Sequence, residues 1–210
     1  LSGLDTASAV SQLESARVVL SASGVVSRPN ERKRRPTAEE LNTLCNFWMK
    51  RRRGIDMWAV TQFAISTAMR LSEITRISWS DLDQNSRTVI IRDRKHPRNK
   101  KGNDQKIPLL RGPTIIGGSI IDPLEIIIRQ PRIAAEIFPY KAATVSTAFT
   151  RGSSACEIDN LRFHDLRHDG VSRLFEAGYA IEQVALVSGH QDWNMLRRYT
   201  QIAPESLHRD

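Results

Sequence analysis

The chain has 210 residues, 40% of them apolar, which is enough to build a core and too much for a disordered polymer. Thirty-one Lys and Arg against 23 Asp and Glu leave a net charge of +8, an excess that points to a polyanionic partner, nucleic acid above all. Two cysteines, Cys45 and Cys156, exclude a disulfide framework and a cysteine-built zinc site, and both suit a reducing cytoplasm.

No signal peptide or membrane span is legible. The longest apolar stretch, residues 115–128, is interrupted by glycines, Asp122, Pro123 and Glu125. The chain does not open on Met and is expected to be a fragment.

Residues 1–27 are small and weakly periodic. Val10, Leu13, Val18 and Leu20 could line one helix, the expected tail of a preceding domain. The basic, proline-flanked SRPNERKRRP (27–36) reads as a linker, so the expected boundary falls between 1–30 and 31–210. Thr37 then opens a helix, with Glu40 placed for a capping box and Leu41, Leu44, Cys45 and Trp48 on one face. Met57, Val60, Thr61 and Ala64 repeat that spacing in a second helix, and Glu73, Ile74 and Ile77 suggest a third. RTVIIR (87–92) is strand-like, with KIPLL (106–110) as its return strand. Residues 115–129 read as a loop with a short helix after Pro123. Further helices are expected at 142–156, 164–177, 181–188 and 194–199, with Gly178 ending one of them. The fold class is mainly α with one small antiparallel sheet (α+β).

Four groups of residues carry chemistry. In Met69-Arg70-Leu71-Ser72-Glu73, Arg70 follows an apolar helix end, where its fork could grip a phosphate with Glu73 orienting it. The same pair reads equally as a structural ion pair at i, i+3. Between the two strands, Arg92, Arg94, Lys95, Arg98, Lys100 and Lys101 stand against one acid, Asp93, making a ribbon suited to a DNA groove and backbone. One of its lysines could serve as a general acid. In FHDLRH (163–168), His164 and Arg167 share a helix face. The His164–His168 spacing also fits a metal. However, Asp165 stands where a zinc hydrolase has Glu, Arg167 would repel a cation, and no third ligand follows at a familiar distance. His168 is then a packing or supporting residue. In SGHQDWNMLRRYT (188–200), Gly189 permits a sharp turn that presents His190, and Tyr199 follows beside Arg197 and Arg198. A phenol needs such cations to become a nucleophile near neutral pH.

Taken in order, AMRLSEI, the basic hairpin, FHDLRH and SGHQDWNMLRRYT resemble the tyrosine recombinase (phage integrase) family over residues 31–203. The resemblance implies a catalytic domain at 31–210, preceded in 1–30 by the last helix of a core-binding domain and a linker. It implies site-specific cleavage and rejoining of double-stranded DNA, by a tetramer of the chain at a synapse, with no metal or other cofactor. Arg70 and Arg167 would clamp the scissile phosphate, Tyr199 would attack it, and Lys95 would protonate the leaving oxygen, with Lys100 and Lys101 as alternatives. His164 would accept the tyrosine proton, His190 would donate to a phosphate oxygen, and Glu73 would support the site. Arg94, Arg98, Lys100 and Lys101 would contact DNA. Ala68 departs from the glycine more usual before the first arginine. A type IB topoisomerase and a non-catalytic DNA-binding module are the competing readings.

Overall fold

The computed structural model describes residues 34–51, 54–94, 101–190 and 192–199, with Gln12, Ser15, Ala16, Val19 and Arg32 as isolated positions before them. The chain divides into two compact units, residues 1–33 and 34–210. In the first, Gln12, Ser15, Ala16 and Val19 are helical. The periodic Val10, Leu13, Val18 and Leu20 and most of the linker lie outside the described residues, as do Lys95, Arg98 and Lys100.

In the second unit, α1 (Ala38–Met49) begins with the expected capping box. Thr37 Oγ1 accepts from the Glu40 amide at 3.2 Å, and Glu40 Oε2 accepts from the Thr37 amide at 2.8 Å. Leu41, Leu44 and Trp48 face the core, whereas Cys45 is only half-buried. Helix α2 (Met57–Thr67) is started by Asp56, whose carboxylate takes the Ala59 amide at 2.9 Å. Nine of its eleven residues are buried, so it is apolar all round and forms the axis of the unit. It ends on Ala68, which adopts the left-handed conformation at φ 50°. For a residue with a Cβ this costs roughly 1–2 kcal/mol.

Helix α3 (Leu71–Ile74) is a single turn, shorter than expected. The Thr75 hydroxyl bonds back to Leu71 O at 3.2 Å and competes with further helix, while Ile77 remains buried beyond it. Strands β1 (Leu82–Asp83), β2 (Thr88–Ile91) and β3 (Gln105–Pro108) pair antiparallel in that order. Val89 opposes Ile107, and both are buried. Where a loop was expected, β4 (Ile115–Ile116) and β5 (Ser119–Ile120) form a hairpin. Its two-residue turn, Gly117-Gly118, has φ of 58° and 77°, a conformation that selects glycine. Helix α4 (Pro123–Ile128) follows, with Pro123 in its first turn and Asp122 capping the Leu124 amide at 2.9 Å.

The C-terminal helices are α5 (Ala142–Ala155), α6 (Phe163–Glu176) and α7 (Ile181–Ser188). Helix α6 lies against α2 at Gly170, where a Cβ would stand 2.3 Å from Ile65 O. Residues 193–199 form two 3₁₀ turns, Trp193–Met195 and Arg197–Tyr199, in place of the expected α-helix. Asp192 tightens the first by accepting from the Asn194 amide at 2.9 Å. Leu196, between them, is buried in a small core with Ala68, Val171, Leu174, Val184 and Val187. Burying that one side chain holds the final turn against α6 and α7. No described helix is long and apolar enough to cross a membrane.

Candidate active site

Two helix ends and two turns converge. Arg70 is the N-cap residue of α3, and its Nη1 reaches Glu73 Oε1 at 2.8 Å while Glu73 Oε2 accepts from the Arg70 amide at 2.9 Å. The structural ion pair is therefore present, but the Arg70 side chain keeps a quarter of its surface exposed. Glu73 itself is 1% exposed. Burial pushes its carboxyl up, yet Arg94, the Arg70 amide, Arg167 and Arg70 together hold it below the ordinary carboxylate range.

Arg167 projects from α6 and donates to Ala68 O at 2.6 Å. That carbonyl ends α2, where backbone acceptors lack partners and the helix dipole favours a cation. The left-handed Ala68 turn thus does two things: it closes α2 and starts the short run to Arg70. Burial, reinforced by nearby Arg70, lowers Arg167 to about 9, with Glu73 opposing the shift. It remains a cation at neutral pH.

Gly189 caps α7 in the left-handed conformation at φ 70° and swings His190 back toward Arg167. His190 Nε2 lies 3.4 Å from Arg167 Nη2, and Nδ1 lies 2.7 Å from Ser188 Oγ. The Ser188 hydroxyl, which also reaches Val184 O at 2.6 Å, ties the His190 ring to the end of α7.

The Tyr199 hydroxyl meets His168 Nδ1. The His168 ring stands edge-on to His164, with centroids 4.9 Å apart, and Phe175 stacks on the far side of Tyr199 at 6.3 Å. His164 is exposed and, with Met69, Leu71, Ser146, Arg162, Phe163 and Arg167, lines a cleft of about 250 Å³. Arg70, Glu73, Arg167, His190 and Tyr199 are therefore grouped by direct contacts or electrostatic reach, and His164 lines the same cleft as Arg167. Among the described residues, no three His, Cys, Asp or Glu side chains cluster as metal ligands.

One expectation is corrected. Arg94 was placed on the DNA-facing ribbon, but its side chain is 1% exposed. It points inward because four acceptors draw it there: Glu73 Oε1 at 3.3 Å, Gln105 Oε1 and Leu186 O at 2.9 and 3.3 Å, and Val187 O at 2.9 Å. Lys101 is exposed, in keeping with a surface role. Sequence reasoning also left two residues in lesser roles: Arg94 as the link between Glu73 and α7, and His168 as the partner of the Tyr199 hydroxyl. The first had no signal, since one arginine among six cations carries no mark of burial. The second had one, because His168 lies one helical turn from His164 on the same face.

The family described as "Phage integrase family" matches residues 34–206. The chain belongs to the phage integrase family. Among similar integrase-family proteins, the shufflon-specific DNA recombinase of Escherichia coli is 28% identical over 172 residues, covering 81% of this chain and 41% of that one. The integrase of Salmonella phage P22 is 27% identical over 169 residues, covering 71% and 40%. The chain thus spans about two fifths of the length of these relatives. A lambda integrase tetramer bound to a Holliday junction superposes with a TM-score of 0.63 at 20% identity, over 92% of this chain and 58% of that one. The fold is accordingly that of an integrase-family catalytic domain.

Proposed function

We propose that the chain is the catalytic domain, residues 31–210, of a site-specific DNA recombinase acting in the cytoplasm. The observation that carries this reading is the convergence of Arg70, Arg167 and His190 beside a tyrosine hydroxyl held by a histidine. A backbone phosphate fits such a site: its non-bridging oxygens would meet Arg70, Arg167 and His190, where negative charge builds in the pentacoordinate transition state. Tyr199 Oη would form a bond to phosphorus as the bond to the 5′-oxygen breaks. The tyrosine proton passes to His164, with His168 aligning the hydroxyl, and Lys95 gives a proton to the leaving 5′-oxygen. The product is a 3′-phosphotyrosyl link and a free 5′-hydroxyl, and the same steps in reverse reseal a strand. No cofactor is required, because the phosphotyrosyl bond conserves the energy of the broken one.

Relatives named for recombination and integration, and a neighbour captured as a tetramer on a Holliday junction, support double-stranded DNA as partner and a tetramer as the working assembly. The +8 charge supports the DNA partner independently. Lys101, with Arg98 and Lys100 of the same ribbon, would grip the backbone.

The test is a pool of nicked duplexes of randomised sequence, in which cleavage near the nick releases the leaving strand and traps the protein. A covalent adduct mapping to Tyr199, absent in Tyr199→Phe, is expected. No adduct from the pool, or an adduct that survives Tyr199→Phe, overturns the assignment. Relaxation of supercoils without exchange between two marked sites would reassign the chain to topoisomerase chemistry.

A further inference from the structure

We propose that Arg94 is a positioning residue that sets the two halves of the phosphate clamp against each other. The inference rests on the recombinase reading above and adds a residue to it. Arg94 enters from the end of the hairpin strand, and its backbone is fixed there by two bonds to Asn103: its amide donates to Asn103 O at 2.9 Å, and its carbonyl accepts from Asn103 Nδ2 at 2.8 Å.

Its guanidinium then spans the gap between segments far apart in sequence. On one side is Glu73 Oε1, the same oxygen that holds Arg70. On the other are Leu186 O and Val187 O, the last carbonyls before the Ser188-Gly189-His190 turn. The planar fork suits this task, because several donors leave it at fixed angles and meet acceptors in different elements.

The fit leaves no slack. A Cβ at Gly189 would stand 2.4 Å from the Arg94 Cζ, so the turn carrying His190 rests directly on the guanidinium plane. The absence of a side chain at 189 therefore serves the packing as well as the left-handed φ. Displacing Arg94 would free the carboxylate that aims Arg70 and, in the same motion, the turn that aims His190. Arg94 would not itself touch the phosphate, being 1% exposed and already committed to protein acceptors.

Arg94→Lys is the decisive variant. It keeps a positive charge beside Glu73, so the fold is expected to survive, but one ammonium cannot serve the ribbon, the carboxylate and two helix carbonyls together. Single-turnover cleavage of the duplex selected above is measured at saturating DNA, alongside DNA affinity and thermal unfolding. The cleavage rate is expected to fall about 10- to 100-fold, as displacements near 1 Å do, while DNA affinity changes less than about threefold.

A second substrate carries a methyl group in place of one non-bridging oxygen of the scissile phosphate. The neutral phosphonate depends less on the cationic clamp, so the deficit of Arg94→Lys relative to the native chain is expected to shrink at least about tenfold. A purely structural role would lower both substrates alike. Should Arg94→Lys not fold, Gln105→Leu removes only the ribbon-side contact and is read in the same way. Equal deficits on both substrates, or cleavage within about twofold of native, would overturn the proposal. A native chain that forms no adduct at all would overturn the recombinase reading instead, and this inference with it.

Discussion

Replacing Glu73 by Gln removes one charge and almost no volume, and its cost can be worked from the contacts. Glu73 lies 2.8 Å from Arg70 Nη1 and 3.3 Å from Arg94 Nε, is 1% exposed, and also attracts Arg167. Removing one partner of a buried ion pair strands the other and costs about 3–5 kcal/mol. Glutamine keeps one acceptor oxygen in place, so the lower end, about 3 kcal/mol, is expected. For a domain of this size that corresponds to a melting temperature about 6–12 °C lower.

The sign with pH follows from the lowered carboxyl pKa. The stabilisation is fully present above the unfolded value of about 4.3 and is lost as pH falls through the lower folded value. The difference between native and Glu73→Gln should therefore be full at neutral pH and narrow in acid below about pH 4. Thermal and urea unfolding across pH measure it. A coupling check accompanies it: Arg94→Met should cost at least about 1 kcal/mol less in the Glu73→Gln background than alone. A Glu73→Gln variant that melts within about 2 °C of native at neutral pH would refute the claim that this carboxylate holds the cationic cluster together.

Gly170→Ala places a Cβ 2.3 Å from Ile65 O and should destabilise the fold by about 2–3 kcal/mol in urea unfolding. His168→Ala removes the partner of the Tyr199 hydroxyl, and single-turnover adduct formation should slow about tenfold with DNA affinity unchanged. Burial, with Arg70 beside it, lowers Arg167 to about 9, and phosphate favours its protonated form; fluorescence anisotropy should show DNA affinity falling as pH rises through that value, with the step absent in Arg167→Met. Affinity should also fall linearly in log–log form with salt, with a slope near −0.9 per phosphate contacted.

What could be read from sequence was mostly local. Thr37 and Glu40 announced their capping box, and the β-branched run Val89-Ile90-Ile91 announced a strand. Gly189 announced a sharp turn, which the structure makes in the left-handed conformation at φ 70°. The order of motifs carried the family, and the structure brings Arg70, Arg167, His190 and Tyr199 into one neighbourhood. What sequence did not disclose depends on tertiary contacts. Arg94 looks like its exposed neighbours until Glu73 and the α7 carbonyls are placed around it. Residues 193–199 have helical spacing, but burial of Leu196 and the Asp192 turn select two tighter turns. Ala68 occupies a glycine-favouring φ because Arg167 and the close packing of α6 hold that turn in place.

The arginine bonds also carry a consequence for timing. Arg167 reaches Ala68 across 99 residues, and Arg94 reaches Val187 across 93. Contacts so distant in the chain close late, after the entropy of the intervening loops has been lost. A chain still emerging from the ribosome would have Arg70 and its carboxylate in place long before α7 arrives to complete the set. Until residue 190 and the turns beyond it are free to dock, the half-made protein holds cations but no assembled clamp. A site divided in this way is completed only when α7 and the turns after it fold against the earlier elements.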